Sequence, residues 1–418
     1  MRFIHAADIH LDSPLTGLTA YPDAPVDMLR TATRRAFSNL CDEAIALEVD
    51  FMVIAGDLYD GTWKDFNTGL FFCKEMGRLN RANIPVYVLY GNHDAASELT
   101  KTLQLPDNVK AFDHRSCTTI ILPDIKVALH GRSFKDAATI ENLVTGYPGP
   151  VAGMFNIGVL HTALEGNAEH PNYAPCTIAE LHAKGYDYWA LGHVHEHQIM
   201  RGDSVIVFPG NLQGRHVKET GARGAVLVTV DANGTCDVER LLVDVLRWHC
   251  LEVDVSACSD LAEVVRTISP LLSALVEFSH PELPNAVRVK IHGCTAAHGI
   301  LFGAAAQVRQ EILALAAGIG IHRLWIEKVQ IATTAIDDAQ AVAGRADAVA
   351  DLQVILEAAQ YDPQFLKELQ TELMSIVGKT PMELRNGTDY FVDIANGNLG
   401  PLVAEVRPGL VAHLARME

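Results

Sequence analysis

Five short clusters of metal-ligand-type residues, each placed where a β-prone apolar run gives out, constrain this chain more than any other feature. In order they read D-x-H (Asp8, His10), G-D-L-Y-D (Asp57, Asp60), G-N-H-D (Asn92, His93), L-H-T (His161) and G-H-V-H (His193, His195). If the runs are strands, their ends are expected to meet at one edge of a sheet. Strands are expected over residues 1–7, 51–55, 86–90, 118–122, 127–130, 157–160, 188–191, 205–208 and 225–230. Between several of them lie stretches with apolar residues at i, i+3, i+4 spacing, expected as helices over 28–48, 66–83 and 177–184. Helix and strand in turn make an α/β fold of packed layers. After about residue 118 strands follow one another with few helices, which points to a mixed sheet or a two-sheet sandwich.

At 418 residues the chain is too long for one ordinary domain. The metal-type clusters stop after residue 195, and the pattern changes near Val245. Residues 1–245 form the expected catalytic domain. Residues 246–332 read as a smaller α+β unit, with strands over 248–255, 286–292 and 324–331 and helices over 260–276 and 304–317. Residues 333–418 read as a helical segment, clearest over 339–359 and 363–377, and carry 6 Lys+Arg against 13 Asp+Glu. That acidic, helical end reads as a docking element rather than a catalytic one.

Composition narrows the functional classes. With 49% hydrophobic and 20% charged residues there is ample material for a core. No apolar run reaches the roughly 18 residues of a spanning helix. The opening MRFIHAADIHLDS lacks the parts of a signal peptide. The 8 cysteines form no C-x-x-C pair and stand away from the His/Asp clusters, as reduced thiols of a cytoplasmic protein would. The net charge of −18 counts against a broad basic surface for nucleic acid, although bound cations would put positive charge where a phosphate must sit.

The clusters specify chemistry by residue type. Asp8 and His10 stand two apart, so an extended strand end would send both side chains to one face; His193 and His195 repeat the spacing. Glycine precedes Asp57, Asn92 and His193, where the backbone must turn or come close. Imidazoles with a few carboxylates suit Mn, Fe or Zn. Seven ligands are too many for one open site and natural for two ions sharing a carboxylate. Two divalent ions, two aspartates and a hydroxide leave a net of about +1, a seat for a phosphodiester anion. His93 is the candidate general acid for the departing alkoxide, and Asp60 is placed to orient its imidazole. Among 18 histidines, His5, His130, His182, His197, His292 and His322 read as structural. Arg215 and His216, with Lys218 in the segment 204–224, form a small basic cluster that would meet the substrate backbone. Arg30, Arg34 and Arg35 are expected on a solvated helix face.

Taken together, the five motifs resemble those of the calcineurin-like metallophosphoesterases. FIHAADIHLDSPLTGL, AGDLYD, YGNHD and ALGHVH are similar to the SbcD-type DNA repair exonucleases, and FPGNLQGRHVKETGARG to a YhaO-like bacterial branch. The resemblance is dense over residues 1–230. It implies a mixed β-sandwich flanked by helices and two manganese ions. Asp8, His10, Asp57 and His195 would hold one ion, and Asp57, Asn92, His161 and His193 the other, with Asp57 bridging and His93 catalytic. It also implies a capping domain, a C-terminal segment that docks on an SMC-like ATPase, DNA as substrate, and a homodimer, for which residues 66–83 are a candidate helix. Two other readings stand beside it: the same centre acting on a small nucleotide or other diester, and a scaffold whose site has decayed. The complete ligand set argues against the second of these.

Overall fold

A computed structural model describes residues 1–13, 25–60, 66–96, 103–165, 173–320, 322–336, 355–377, 389–404 and 406. Two compact units emerge: Met1–His249 with Glu282–Ala286, and Cys250–Pro281 with Val287–Glu418.

The first unit holds two six-stranded mixed sheets. One contains β1 (Arg2–Ala6), β2 (Phe51–Ala55), β3 (Val86–Leu89) and β4 (Val109–Ala111), completed by β11 (Gly224–Val230) and β12 (Cys236–Leu242), in the order β12-β11-β1-β2-β3-β4. The other is built from β5 (Thr118–Leu122), β6 (Val127–Gly131), β7 (Phe155–His161), β8 (Tyr188–Gly192), β9 (Gln198–Arg201) and β10 (Val205–Phe208), in the order β5-β6-β7-β8-β10-β9. β1, β2, β3 and β4 run parallel, as do β6, β7, β8 and β10, while the remaining pairings are antiparallel.

Burial on both faces explains why the parallel strands read as unbroken apolar runs. Phe3, Phe51, Val53 and Leu89 meet Leu129, Ile157, Val159, Tyr188 and Val207 between the sheets. The outer face of the first sheet packs Ile4, Met52, Ile54 and Val88 under Phe37 and Leu40 of α1 (Val26–Ala46) and Phe72, Met76 and Leu79 of α2 (Phe66–Arg81). The outer face of the second packs Leu160, Trp189, Leu191 and Phe208 against Phe134, Tyr147 and Leu181. The fold class is therefore the expected one, a mixed α/β sandwich flanked by helices. Three strands were not expected: β4 is only three residues long, β9 is the polar-ended QIMR, and β12, CDVERLL, is an edge strand whose apolar positions are interrupted by Asp237, Glu239 and Arg240.

The second unit pairs a three-stranded sheet, β13 (Arg247–Asp254), β14 (Asn285–Thr295) and β15 (Leu324–Ala335), with helices over Leu261–Phe278, His298–Gly303 and Ala305–Ile319. Val264, Ile268 and Leu272 pack with Val287, Val289, Ile291, Ile312 and Ile326. Asp260 caps the first of these helices by accepting from Glu263 N at 2.8 Å. Further on, helices Pro363–Val377 and Asp389–Asn396 share an apolar cluster around Leu373 and Ile394. The helix expected over 339–359 lies outside the described residues through residue 354. Among the described residues, no helix is long and apolar enough to cross a membrane.

Candidate metal centre

All five ligand clusters leave the carboxyl ends of parallel strands. Asp8 and His10 follow β1, Asp57 follows β2, Asn92 follows β3, His161 ends β7, and His193 and His195 follow β8. The segments leaving β1 and β2 stay hydrogen-bonded side by side: Asp8 N to Gly56 O at 3.0 Å, His10 N to Asp57 O at 3.0 Å and Leu11 N to Leu58 O at 2.9 Å. This pairing carries three ligand-type side chains to one place.

The local backbone departs from the extended end expected at Asp8 and His10. Asp8 (φ 50°), His10 (φ 46°), Asp57 (φ 52°) and His193 (φ 98°) all occupy positive φ. Left-handed turns, rather than strand alternation, aim these side chains. Non-glycine residues pay about 1–3 kcal/mol for such backbone, and it persists where the surroundings over-determine it. The surroundings here are tight. A Cβ on Gly56 would lie 2.2 Å from His161 Nδ1, one on Gly91 2.4 Å from Asp57 Oδ1, and one on Gly192 2.0 Å from the Ala55 carbonyl oxygen. The three motif glycines thus line the space around one imidazole and one carboxylate.

Among the described residues three groups of donor atoms result, each within 4.8 Å of one another: Asp8, His10 and His195; Asp57, His161 and His193; and, toward the rim, His10, Asp60 and His93. The first two hold the expected ligands. Asp57 Oδ1 accepts from His93 N at 3.0 Å. Its Oδ2 lies 3.4 Å from His161 Nε2 and 3.9 Å from His10 Nε2, so one carboxylate oxygen stands between the two groups. Asn92 Oδ1 sits 3.0 Å from His161 Nε2. The ring orientations are fixed from behind. His161 Nδ1–H donates to Ala55 O at 3.0 Å and His195 Nδ1–H to Glu219 Oε1 at 2.8 Å, which leaves both Nε2 atoms facing inward.

The donor set fits divalent cations. His10 Nε2 and His195 Nε2 face each other at 3.4 Å. On the other side of the ring, His10 Nδ1 stands 3.7 Å from Asp60 Oδ1. Asp8 and Asp57 are buried carboxylates. Against burial, the neighbouring His161 holds Asp57 well below the usual carboxylate range, and Asp57 in turn pushes His161 up to about 9. The two groups thus hold one another as a charged pair, whereas burial raises the Asp8 pKa and lowers that of His10 to about 3.

At the rim, His93 Nδ1 is 2.9 Å from Asp60 Oδ1, with the His93 side chain 39% exposed. Burial works to lower the His93 pKa, but the Asp60 hydrogen bond and the Asp57 charge raise it above its ordinary value. Asp60 also accepts from Ser13 Oγ at 2.5 Å. Arg215, expected to meet substrate, is turned toward Asp60 Oδ2 (3.8 Å) and Glu219 Oε1 (3.1 Å), while His216 remains more than half exposed. Arg34 corrects an expectation. It does not lie on a solvated face but donates through Nε (2.7 Å) and Nη2 (2.5 Å) to Asp12, tying the loop after the first motif to α1.

Two residues of the site escaped the reading by motif. Asp94, fully buried, accepts from Leu58 N (3.1 Å), Tyr59 N (2.9 Å) and Gly91 N (3.0 Å), joining the loops after β2 and β3. Burial, followed by the Asp57 charge, pushes it up to about 7. Glu219 stands 24 residues from His195, in the segment expected to meet the substrate backbone through its basic residues. Only the D that closes G-N-H-D signalled either.

Comparison with known proteins places this geometry. Residues 1–197 match the calcineurin-like phosphoesterase family, and residues 248–334 match the middle domain of metallophosphoesterase YhaO. The uncharacterized metallophosphoesterase YhaO of Bacillus subtilis (strain 168) is 33% identical over 291 residues, 67% of this chain and 70% of that protein. The chain belongs to the calcineurin-like metallophosphoesterases. The DNA double-strand break repair protein Mre11 of Methanopyrus kandleri is a more distant relative of this metallophosphoesterase, 26% identical over 271 residues, 58% of this chain and 57% of that protein. A crystal structure of a dimetal phosphatase from Danio rerio superposes at a TM-score of 0.36, with 10% identity over 55% of this chain and 92% of that one.

Proposed function

We propose that this metallophosphoesterase hydrolyses phosphodiesters with two divalent ions, Mn2+ in the first instance. Its substrate on this reading is DNA, cut as an exonuclease or endonuclease in repair alongside an SMC-like ATPase. The observation that carries the two-ion reading is Asp57 Oδ2, set between His161 Nε2 at 3.4 Å and His10 Nε2 at 3.9 Å. Asp8, His10, Asp57 and His195 would hold one ion, and Asp57, Asn92, His161 and His193 the other. When bound, such ions supply a nucleophile at neutral pH and a positive seat for the phosphate.

The chain's own residues handle orientation and the proton. Ala55 O and Glu219 fix the His161 and His195 rings. Asp60 takes the Nδ1–H of His93, so His93 Nε2 is the atom that gives a proton to the departing alkoxide. The Asp60 hydrogen bond and the Asp57 charge favour the protonated ring.

Kinship with Mre11 supports DNA as substrate. We assign the capping role to residues 246–332 and ATPase docking to residues 333–418, with a cytoplasmic homodimer as the working unit. One observation favours a second reading, a small nucleotide or other diester: the net charge is −18, and Arg215 is already engaged by two carboxylates. The test is the purified chain with Mn2+ on linear duplex, on single-stranded DNA and on bis-nitrophenyl phosphate. Cleavage of a DNA together with the small diester is the expected result. Cleavage of the diester with no action on any DNA, with or without an ATPase partner, would overturn the DNA reading in favour of the second.

A further inference from the structure

Glu219 is 5% exposed, and both of its oxygens are committed. Oε1 accepts from His195 Nδ1 at 2.8 Å and from Arg215 Nη2 at 3.1 Å; Oε2 accepts from Arg215 N at 2.7 Å and Asn211 Nδ2 at 3.0 Å. Arg215 then reaches across the rim, with Nη1 3.4 Å from Ser13 Oγ and 3.8 Å from Asp60 Oδ2. Asp60 is the partner of His93. One buried carboxylate therefore stands behind the His195 ring and, through a single guanidinium, behind the pair that carries the proton.

We propose that Glu219 is a positioning residue that sets His195 for the ion held with Asp8 and His10. The proposal rests on the two-ion reading above. Its physical basis is the choice His195 has between two tautomers. With Nδ1–H given to Glu219, Nε2 keeps its lone pair and points to His10 Nε2 at 3.4 Å. Without a carboxylate there, the ring is free to turn and to carry its proton on Nε2, where it no longer ligates. The residue's own carbonyl is no substitute, because His195 O already accepts from Arg223 Nη1 and from Asn211 N at 3.1 Å. Nothing comparable links Glu219 to the other ion: His161 is fixed by Ala55 O, on the opposite sheet from β8. Removing Glu219 should hence weaken one site and spare its neighbour. Loss of an outer carboxylate behind a metal-binding histidine weakens affinity about 10–100-fold.

The experiment is calorimetric titration of the full metal-free chain with Mn2+ alone, with the melting temperature of each metal-free protein measured in parallel. The wild-type chain should take up two ions. Glu219→Gln should weaken one of them by about 10–100-fold and leave the other within about twofold. Glu219→Asp keeps the charge and should recover part of the loss, even if the Gln variant folds poorly. Asn211→Ala removes another side-chain bond to Glu219 while keeping the backbone bond from Asn211 N to His195 O at 3.1 Å, so it should change the melting temperature and leave both affinities in place. Wild-type affinities in Glu219→Gln would overturn the proposal. Equal weakening of both ions, or a loss in Asn211→Ala as large as in Glu219→Gln, would also overturn it, since either marks a general role in the turn. Uptake of fewer than two ions by the wild-type chain would instead remove the two-ion reading, and the proposal with it.

Discussion

His93 is held by two carboxylates with separate duties: Asp57 takes its backbone N–H and Asp60 its ring N–H. That leaves the ring's Nε2 open for the proton transfer proposed above. His93→Ala should lower kcat on bis-nitrophenyl phosphate by about 10²–10⁴-fold while calorimetry still finds two Mn2+ ions. A variant that turns over at the wild-type rate would remove His93 from the chemistry. Arg215 is open to a sharper choice. If it serves Asp60 and Glu219, Arg215→Met should lower kcat about tenfold with KM little changed. If it grips the phosphate instead, KM should rise while kcat holds. A third residue, His5, is buried and neutral; its Nδ1 meets Tyr188 OH at 2.9 Å and its Nε2–H Leu191 O at 3.0 Å. Burial lowers its pKa to about 3, below the ordinary 6.5. The unfolded chain therefore binds this proton first, and stability should fall as pH drops from 6.5 toward 3, by about 1.4 kcal/mol per unit from this group alone. Urea midpoints for wild type and His5→Gln between pH 6.5 and 4.5 check the sign: the variant should show the flatter curve.

At the scale of elements, the site depends on how closely two strand ends approach. Gly192 closes β8 against Ala55 of β2, and a Cβ would sit 2.0 Å from a carbonyl oxygen that has nowhere to retreat. Gly192→Ala should cost about 2–4 kcal/mol and abolish tight Mn2+ binding, measured by chemical denaturation and calorimetry. Retained affinity would mean that the sheets can part there without disturbing His161. Much of this was legible in the sequence, and the reasons are physical. Strands buried on both faces read as apolar runs, and glycine before a ligand marks a close approach. Edge strands β4 and β12 were hidden because one face meets water and the polar residues break the run. The left-handed turns at Asp8 and His10 left no mark, since the D-x-H spacing suits an extended strand equally well. Glu219 and Arg34 were hidden for a different reason: a charged residue on a turn or helix looks the same whether its partner is water or a distant carboxylate.

For the whole molecule, the proposed ligands come from both sheets, so bound ions would clamp the assembled sandwich. Saturating Mn2+ at about 100 times Kd should add about 2.7 kcal/mol per ion to stability, visible as a higher melting temperature that chelator reverses. His161→Ala should lose most of that gain at its ion. The clamp also has a history written into chain order. Asp8 receives the backbone N–H of His193, 185 positions later. A ribosome adding roughly 5–20 residues per second exposes the first ligand roughly 10–40 seconds before the last. During that interval the nascent chain carries aspartates and histidines with no partner set to complete. Neither ligand set can therefore be complete until both sheets are in place, and the supply of ions should govern how much enzyme is active as well as how firmly it stays folded.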